Sequence, residues 1–200
     1  MCPYDPKEHH RRSIRLSGFD YAQAAVYFVT ICTHENRCVL GRVVGDAIVL
    51  SASGEVAQAC WCAIREHSPD VFLDEFALMP NHLHGLLALG VASPAKRDTP
   101  YRVDPLLPSS RTVTPTPALQ PDSVSALMGS FKSAVTRQVN RAKGTPGAPL
   151  WHRNYYERIV RDDKELKAVR EYIRGNPIRW SLDRLNPNSL PKTQDVLPWE

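Results

Sequence analysis

The stretch Met79-Pro80-Asn81-His82-Leu83-His84-Gly85-Leu86-Leu87-Ala88-Leu89 puts two histidines two residues apart inside an apolar run. Read as a strand over 82–89, it sends both imidazoles out of one face, because strand side chains alternate. Pro80-Asn81 supplies a turn just before it, and 71–79 (Val-Phe-Leu-Asp-Glu-Phe-Ala-Leu-Met) reads as the hairpin partner. Two neutral imidazoles at a strand start can bind a divalent metal but leave coordination positions empty. A complete site needs at least one further ligand. An arbitrary His-x-His is more often one solvent-facing histidine and one turn cap, so the rest of the chain decides.

Moving outward, residues 26–33 (Val-Tyr-Phe-Val-Thr-Ile-Cys-Thr) are β-branched and aromatic without alternation, as expected of a central strand covered on both sides. Residues 39–44 and 47–50, split by Gly45-Asp46, read as a short hairpin. Ser53-Gly54 opens a helix through about His67, with Val56, Ala59, Cys60, Ala63 and Ile64 at helical spacing. Residues 91–121 hold seven prolines and almost no periodic apolar residue, so they read as a long flexible insertion within one domain spanning 1–200. The helix over about 122–142 places Val124, Leu127, Met128, Phe131, Val135 and Val139 on one face and Lys132, Arg137, Asn140 and Arg141 opposite. Residues 155–160 read as a last strand. Asp162 with Glu165 resembles a capping box and starts a final helix, whose Leu166, Val169 and Ile173 face the core. That helix ends at Gly175-Asn176-Pro177. The tail from Ser181 reads as loosely ordered wrapping.

Composition narrows the function classes. No apolar run reaches about 18 residues and no signal-like leader opens the chain, so neither a membrane span nor a secretory signal is expected, and the reading is cytoplasmic. Five cysteines without a zinc-knuckle spacing are expected to be reduced, mostly buried thiols. Residues 131–180 hold 12 Lys and Arg against 5 Asp and Glu, a local excess that suits a phosphate backbone. Lys132, Arg137, Arg141, Arg153 and Arg158 are the candidate DNA-binding residues. No Gly-rich phosphate loop is present, so nothing points to ATP.

The final helix supplies the second half of a constellation. Tyr172 and Asn176 are four residues apart, roughly 40° from each other on one flank at about 100° per residue, bordering the buried stripe rather than filling it. His82, His84 and the Asn176 oxygen are candidate ligands for a metal that grips a phosphate oxygen, and Tyr172 is the candidate nucleophile on phosphorus. A free phenol has a pKa near 10, so it needs a nearby cation. Tyr155 and Tyr156 are rival nucleophiles beside Trp151, Arg153 and Arg158, but successive strand residues point to opposite faces and neither has a ligand-capable residue four positions on.

These residues carry a family resemblance. Met79-Pro-Asn-His82-Leu-His84, the Tyr27-Phe-Val-Thr-Ile-Cys strand, Gly129-Ser-Phe-Lys-Ser, Leu150-Trp151 with Tyr155-Tyr156, and Tyr172-Ile-Arg-Gly-Asn176-Pro177 resemble the single-tyrosine HUH transposases, and among them the REP-associated tyrosine transposases. Most of the chain is covered, apart from 91–121 and the last few residues. Insertion-sequence relatives have glutamine where this chain has Asn176.

The resemblance implies an α/β (α+β), ferredoxin-like antiparallel sheet with helices packed on it, two histidines on the sheet and the tyrosine on the last helix. It implies that His82, His84 and Asn176 hold Mg²⁺ or Mn²⁺ and that Tyr172 is the nucleophile. The expected activity is nicking and rejoining of single-stranded, hairpin-forming DNA through a 5′-phosphotyrosine link, by a monomer or homodimer. The alternatives are a nucleic-acid-binding module without chemistry and a phosphodiesterase that uses metal-bound water.

Overall fold

The computed structural model describes residues 24–90 and 123–189. The insertion over 91–121, the sequence 7–15 (Lys-Glu-His-His-Arg-Arg-Ser-Ile-Arg), which reads as a basic arm, Cys2 and the far end of the tail lie outside them. Six strands and four helices follow in the order β1 (Ala25–Cys32), β2 (Gly41–Val44), β3 (Ala47–Leu50), α1 (Ala52–Cys62), α2 (Ile64–His67), β4 (Val71–Leu78), β5 (His82–Leu89), α3 (Val124–Lys143), β6 (Tyr156–Val160) and α4 (Asp163–Arg174). Short 3₁₀ turns cover His34–Asn36 and Trp180–Leu182.

Four strands form an antiparallel sheet in the order β4-β5-β1-β6, and β2-β3 is a separate hairpin. With one helical crossover between β1 and β4 and another between β5 and β6, this is the ferredoxin-like arrangement that the sequence led us to expect. β1 is central and buried from Ala25 to Ile31, which explains its unalternating sequence.

Alternation along the strands sorts the side chains into two layers. Tyr27, Val29, Ile31, Leu83 and Leu87 face α1 and α3, meeting Trp61, Met128, Phe131, Val135 and Trp151 in the larger core. Val26, Phe28, Leu86, Ala88 and Val160 face α4, meeting Leu166, Val169, Tyr172 and Ile173 in the smaller one. Gly85 lies between the two layers' business ends. A Cβ there would collide with the Trp61 ring, so only glycine lets the indole come this close to β5 on the face opposite His84.

Local signals position the helices. Ser51, two residues ahead of the expected start, caps α1 by accepting the Gly54 N–H, and the expected single helix to His67 is interrupted at Ala63. Ser123 caps α3 at Ala126 and Gly144, at φ 66°, ends it in the left-handed conformation. Asp162 caps α4 through the Glu165 N–H. The Glu165 carboxylate reaches one residue further back than a capping box requires, accepting from the Arg161 N–H at 2.8 Å and from Arg158 Nε at 2.8 Å.

Two expectations are corrected. The cysteines are not mostly buried: Cys32 and Cys60 are half-buried, Cys38 and Cys62 are exposed, and all four are free thiols. Cys60 lies on the rim of α1 rather than in its core stripe, where Ala57 and Trp61 sit. Tyr172 does not merely border the buried stripe, because its ring is packed edge-on against Phe28 and only 6% of it is exposed. No helix among the described residues is long and apolar enough to cross a membrane.

Candidate active site

The site lies on the α4 face, at the end of the sheet where β5 begins. The β1–β5 register sets Thr30 opposite His84 and Cys32 opposite His82, so both histidines share the face of Phe28. His82 is fully buried and His84 nearly so, with ring centroids 4.5 Å apart. His84 stacks on Phe28 at 5.4 Å and meets the Tyr172 ring at 5.3 Å.

Each imidazole is oriented from behind. Asn81 gives its Nδ2 hydrogens to the carbonyls of Asn36 (3.1 Å) and Leu185 (2.6 Å), which leaves its Oδ1 as an acceptor for His82 Nδ1 at 2.9 Å. The hydrogen therefore sits on His82 Nδ1 and the lone pair on Nε2 points into the site. Thr30 Oγ1 engages His84 Nδ1 at 2.8 Å and likewise leaves Nε2 forward. Anchoring the far nitrogen in this way is how proteins aim a metal-binding imidazole.

Among the described residues, His82 Nε2, His84 Nε2 and Asn176 Oδ1 are buried yet make no hydrogen bond. Orphaned buried polar atoms are costly and call for an explanation. Close together on one face, such atoms are a donor set that a cation could satisfy. Asp183 joins them: it is 4% exposed, and its Oδ2 stands 3.6 Å from His82 Nε2. Donor atoms of His82, His84 and Asp183 all lie within 4.8 Å of one another, so this buried group can hold a metal ion. Two imidazoles with carboxylate and carboxamide oxygens suit a divalent ion of the first transition row, or magnesium with water completing its shell.

The electrostatics favour the ligand form. Burial pushes the His82 pKa down to about 3, against a smaller upward pull from the Asn176 carboxamide, which is not aligned for a full hydrogen bond. Burial also pushes His84 well below the ordinary range, with further lowering from His82 and Arg184. Both rings are neutral at physiological pH, as metal ligation requires. Cys32 is raised to about 11, first by burial and then by the Asp183 charge, so it is a thiol rather than a thiolate ligand.

Beside His84 opens a cavity of about 320 Å³, bordered also by Tyr172, Tyr155, Tyr156, Asp183 and Arg184. The structure thus brings together His82, His84, Asn176 and Tyr172. Asn176 follows α4 in a tight turn, its N–H donated to the Ile173 carbonyl. Sequence reasoning missed Asn81, read only as a turn residue, and Asp183 and Arg184, read as loose wrapping. That segment is pinned. Asp183 Oδ1 accepts the Leu185 N–H at 2.6 Å, Asn81 holds the Leu185 carbonyl, and Asn186 Nδ2 donates to the Trp180 carbonyl at 2.9 Å. The available signal was a tail with buried-type anchors, Trp180 and Leu185, flanking an Asp and an Arg.

The five candidate DNA-binding cations do not form one patch around Tyr172. Lys132, Arg137, Arg141 and Arg153 line a separate groove of about 800 Å³ along the outer side of α3, which shares His152 with the site cavity. Lys132 is tied to the carbonyls of His152 and Arg153, and its half-buried position lowers its pKa. Arg158 lies on β6 in an ion pair with Glu165 at 2.8 Å.

Comparison with known proteins gives the following. No family model matches the chain. Among solved structures, the chain is similar to a REP-associated tyrosine transposase bound to a REP hairpin, at 14% identity and a TM-score of 0.48, covering 90% of this chain and 74% of that one. It is also similar to a proposed transposase from Deinococcus radiodurans, at 17% identity and a TM-score of 0.39, covering 80% and 95%. Likeness at that level transfers no residue roles. An uncharacterized protein of Haemophilus influenzae is 34% identical over 183 residues, which span 91% of this chain and 96% of that protein. Identity of that extent over nearly both full lengths places the chain in the same family as the Haemophilus influenzae protein.

Proposed function

We propose that this protein is a metal-dependent enzyme that nicks and rejoins single-stranded DNA, with Tyr172 as nucleophile and His82, His84 and Asn176 as ligands. The observation that carries this reading is the convergence of three orphaned, buried donor atoms beside a tyrosine that packs on one of the ligand rings. The sequence resemblance to REP-associated tyrosine transposases points the same way.

A divalent cation, Mg²⁺ or Mn²⁺, held there supplies charge that polarises a phosphate oxygen and favours the ionised phenol. The chain's own residues do the rest. Phe28 and His84 hold the Tyr172 ring in one orientation, which fixes the direction of attack. The Tyr172 oxygen bonds to phosphorus, the bond from phosphorus to the 3′-side oxygen breaks, and the phenolic proton is released as the leaving oxygen takes one up to become a 3′-hydroxyl. The product is a 5′-phosphotyrosine ester of similar energy to the phosphodiester, so the same 3′-hydroxyl, or another, can reverse the step without a nucleotide triphosphate.

The test is incubation with labelled hairpin-containing single strands and Mg²⁺ or Mn²⁺, read as a denaturation-resistant protein–DNA band. Tyr172→Phe removes only the hydroxyl and is expected to abolish the band. Free 5′-phosphate ends without a protein adduct would move the assignment to a phosphodiesterase using metal-bound water. Retention of uncut strands would leave a binding module.

A further inference from the structure

Most described arginines around α4 are engaged, and of the others it is Arg184 that borders the site cavity. Arg158 pairs with Glu165, Arg170 with Asp74, Arg174 with Glu75, and Arg179 donates to the Gly175 carbonyl while lying over the Tyr172 ring. Arg184 is exposed, and among the described residues its guanidinium makes no hydrogen bond or ion pair. Its position is nevertheless fixed. The Asp183 carboxylate bridges over it to the Leu185 N–H, Asn81 grips the Leu185 carbonyl, and Asn186 closes the turn on both sides, back to the Trp180 carbonyl and forward to the Asn188 N–H at 2.9 Å. A pinned backbone with an uncommitted side chain is how a chain presents a recognition group at low entropic cost.

That side chain borders the cavity containing Tyr172, His84 and Asp183. Its charge is also felt at His84, Cys32 and Tyr156, which line the same cavity. A cation beside a site whose ligands already attract a metal ion has one natural counterpart, an anion bound between the two. A planar guanidinium matches the two non-bridging oxygens of a phosphodiester.

We infer that Arg184 binds the phosphodiester under attack, from the side away from His82 and His84, and orients it for in-line approach by Tyr172. The segment 183–185 is thus a third component of the site, with Asp183 turned inward to the ligand cluster and Arg184 outward to the strand. This rests on the proposed tyrosine-transfer reading and names the residue that holds its substrate. Arg184 carries no proton in the step and forms no bond to phosphorus. It stabilises the negative charge that gathers on the non-bridging oxygens as the Tyr172 bond forms.

The test uses a labelled pool of single strands with a randomised centre, plus Mn²⁺, and compares wild type, Arg184→Ala and Arg184→Lys by rate and yield of adduct. Arg184→Ala is expected to slow adduct formation about a hundredfold while changing retention of the pool on filters only a few-fold, because other phosphate contacts supply most of the affinity. Arg184→Lys should fall between, and added methylguanidinium should restore part of the Arg184→Ala rate, which a purely structural defect would not allow. The Mn²⁺-induced rise in melting temperature should be the same in all three. An adduct at undiminished rate in Arg184→Ala, or a slow rate that methylguanidinium leaves unchanged, overturns the Arg184 assignment and leaves the tyrosine reading standing. No adduct with wild type overturns both.

Discussion

The two faces of the central sheet are built to different ends. The face toward α1 and α3 is closed with Trp61, Phe131 and Trp151 packed ring against ring beside Met128, and the glycine at 85 lets Trp61 approach. The face toward α4 starts the same way, with Val26, Phe28 and Ile173, but gives way at the His82 end to the buried polar side chains of Thr30, His82, His84, Asn176 and Asp183. One face is given over to aromatic burial, even where this leaves the Trp61 and Trp151 indole N–H groups without partners among the described residues; the other gathers donor atoms able to hold a metal. The contrast teaches where this fold stores its stability and where it stores its chemistry, and substitutions on the two faces should move stability in opposite directions.

The largest effect is expected on the closed face. Trp61→Ala removes a fully buried indole that touches Phe76 and Phe131. It should cost about 3–5 kcal/mol of unfolding free energy, measured by denaturant titration. Gly85→Ala should reproduce much of that loss from the opposite side of the same contact. A cost below about 1 kcal/mol for both would show that the indole is not what seals this face.

Acid distinguishes the faces next. His82, and His84 with it, have folded pKa values below the unfolded value near 6.5, for His82 down to about 3. The unfolded chain then binds protons that the fold refuses, so their contribution is fully present above about pH 6.5 and is lost as pH falls toward about 3. Melting temperature without metal should drop through that window, and the slope should flatten in the His82→Gln, His84→Gln double variant. Trp61→Ala should lower the whole curve without changing its slope, since it adds or removes no titrating group. An unchanged slope in the double histidine variant would mean that the imidazoles are not the groups held neutral.

These outcomes bear on how much could be read from residues alone. The shared face of His82 and His84 was legible because a strand repeats every two residues, and the apolar stripe of α4 because a helix repeats every 3.6. Tyr172 and Asn176 were legible as a pair for the same reason, although the burial of Tyr172 was not: it depends on Phe28, a contact between residues 144 positions apart in the chain. Asn81, Asp183 and Arg184 escaped because no local period marks them. Asp183 reaches His82 only through an Asx turn and a hydrogen bond from Asn81 to Leu185, 104 residues apart, and such closure has no signature in a window of neighbouring residues.

A smaller change of opposite sign is expected at Asp183. Asparagine is nearly isosteric, keeps Oδ1 for the Leu185 N–H, and puts an amide where a buried carboxylate now faces two neutral imidazoles. Removing that charge should raise the stability of the metal-free protein by about 1–2 kcal/mol, whereas on the closed face no substitution considered above is stabilising. The gain should reverse with Mn²⁺ present: wild type should rise in melting temperature as the ion binds the folded state, and Asp183→Asn should rise less. If both respond equally to Mn²⁺, Asp183 is outside the ion's reach and the cluster is His82, His84 and Asn176 alone.

The smallest effect separates two adjacent residues that look interchangeable in the sequence. Tyr155 packs against the closed-face core, and its hydroxyl donates to Glu157 Oε2 at 2.7 Å and lies 3.2 Å from Ser125 Oγ. Tyr156 lies on the other face, edge-on to Phe28, with a phenol raised in pKa chiefly by burial and so poorer as a nucleophile than a free one. Tyr155→Phe leaves the buried Glu157 carboxylate with one donor fewer and should cost about 1 kcal/mol with no change in adduct yield. Tyr156→Phe borders the cavity but removes no ligand, so it should lower the yield a few-fold at most while leaving stability near wild type. Both therefore contrast with Tyr172→Phe, for which no adduct is expected. Peptide mass spectrometry of the trapped species decides the matter: Tyr155 and Tyr156 both line the cavity with Tyr172, and a nucleotide found on either would shift the nucleophile from α4 to the start of β6.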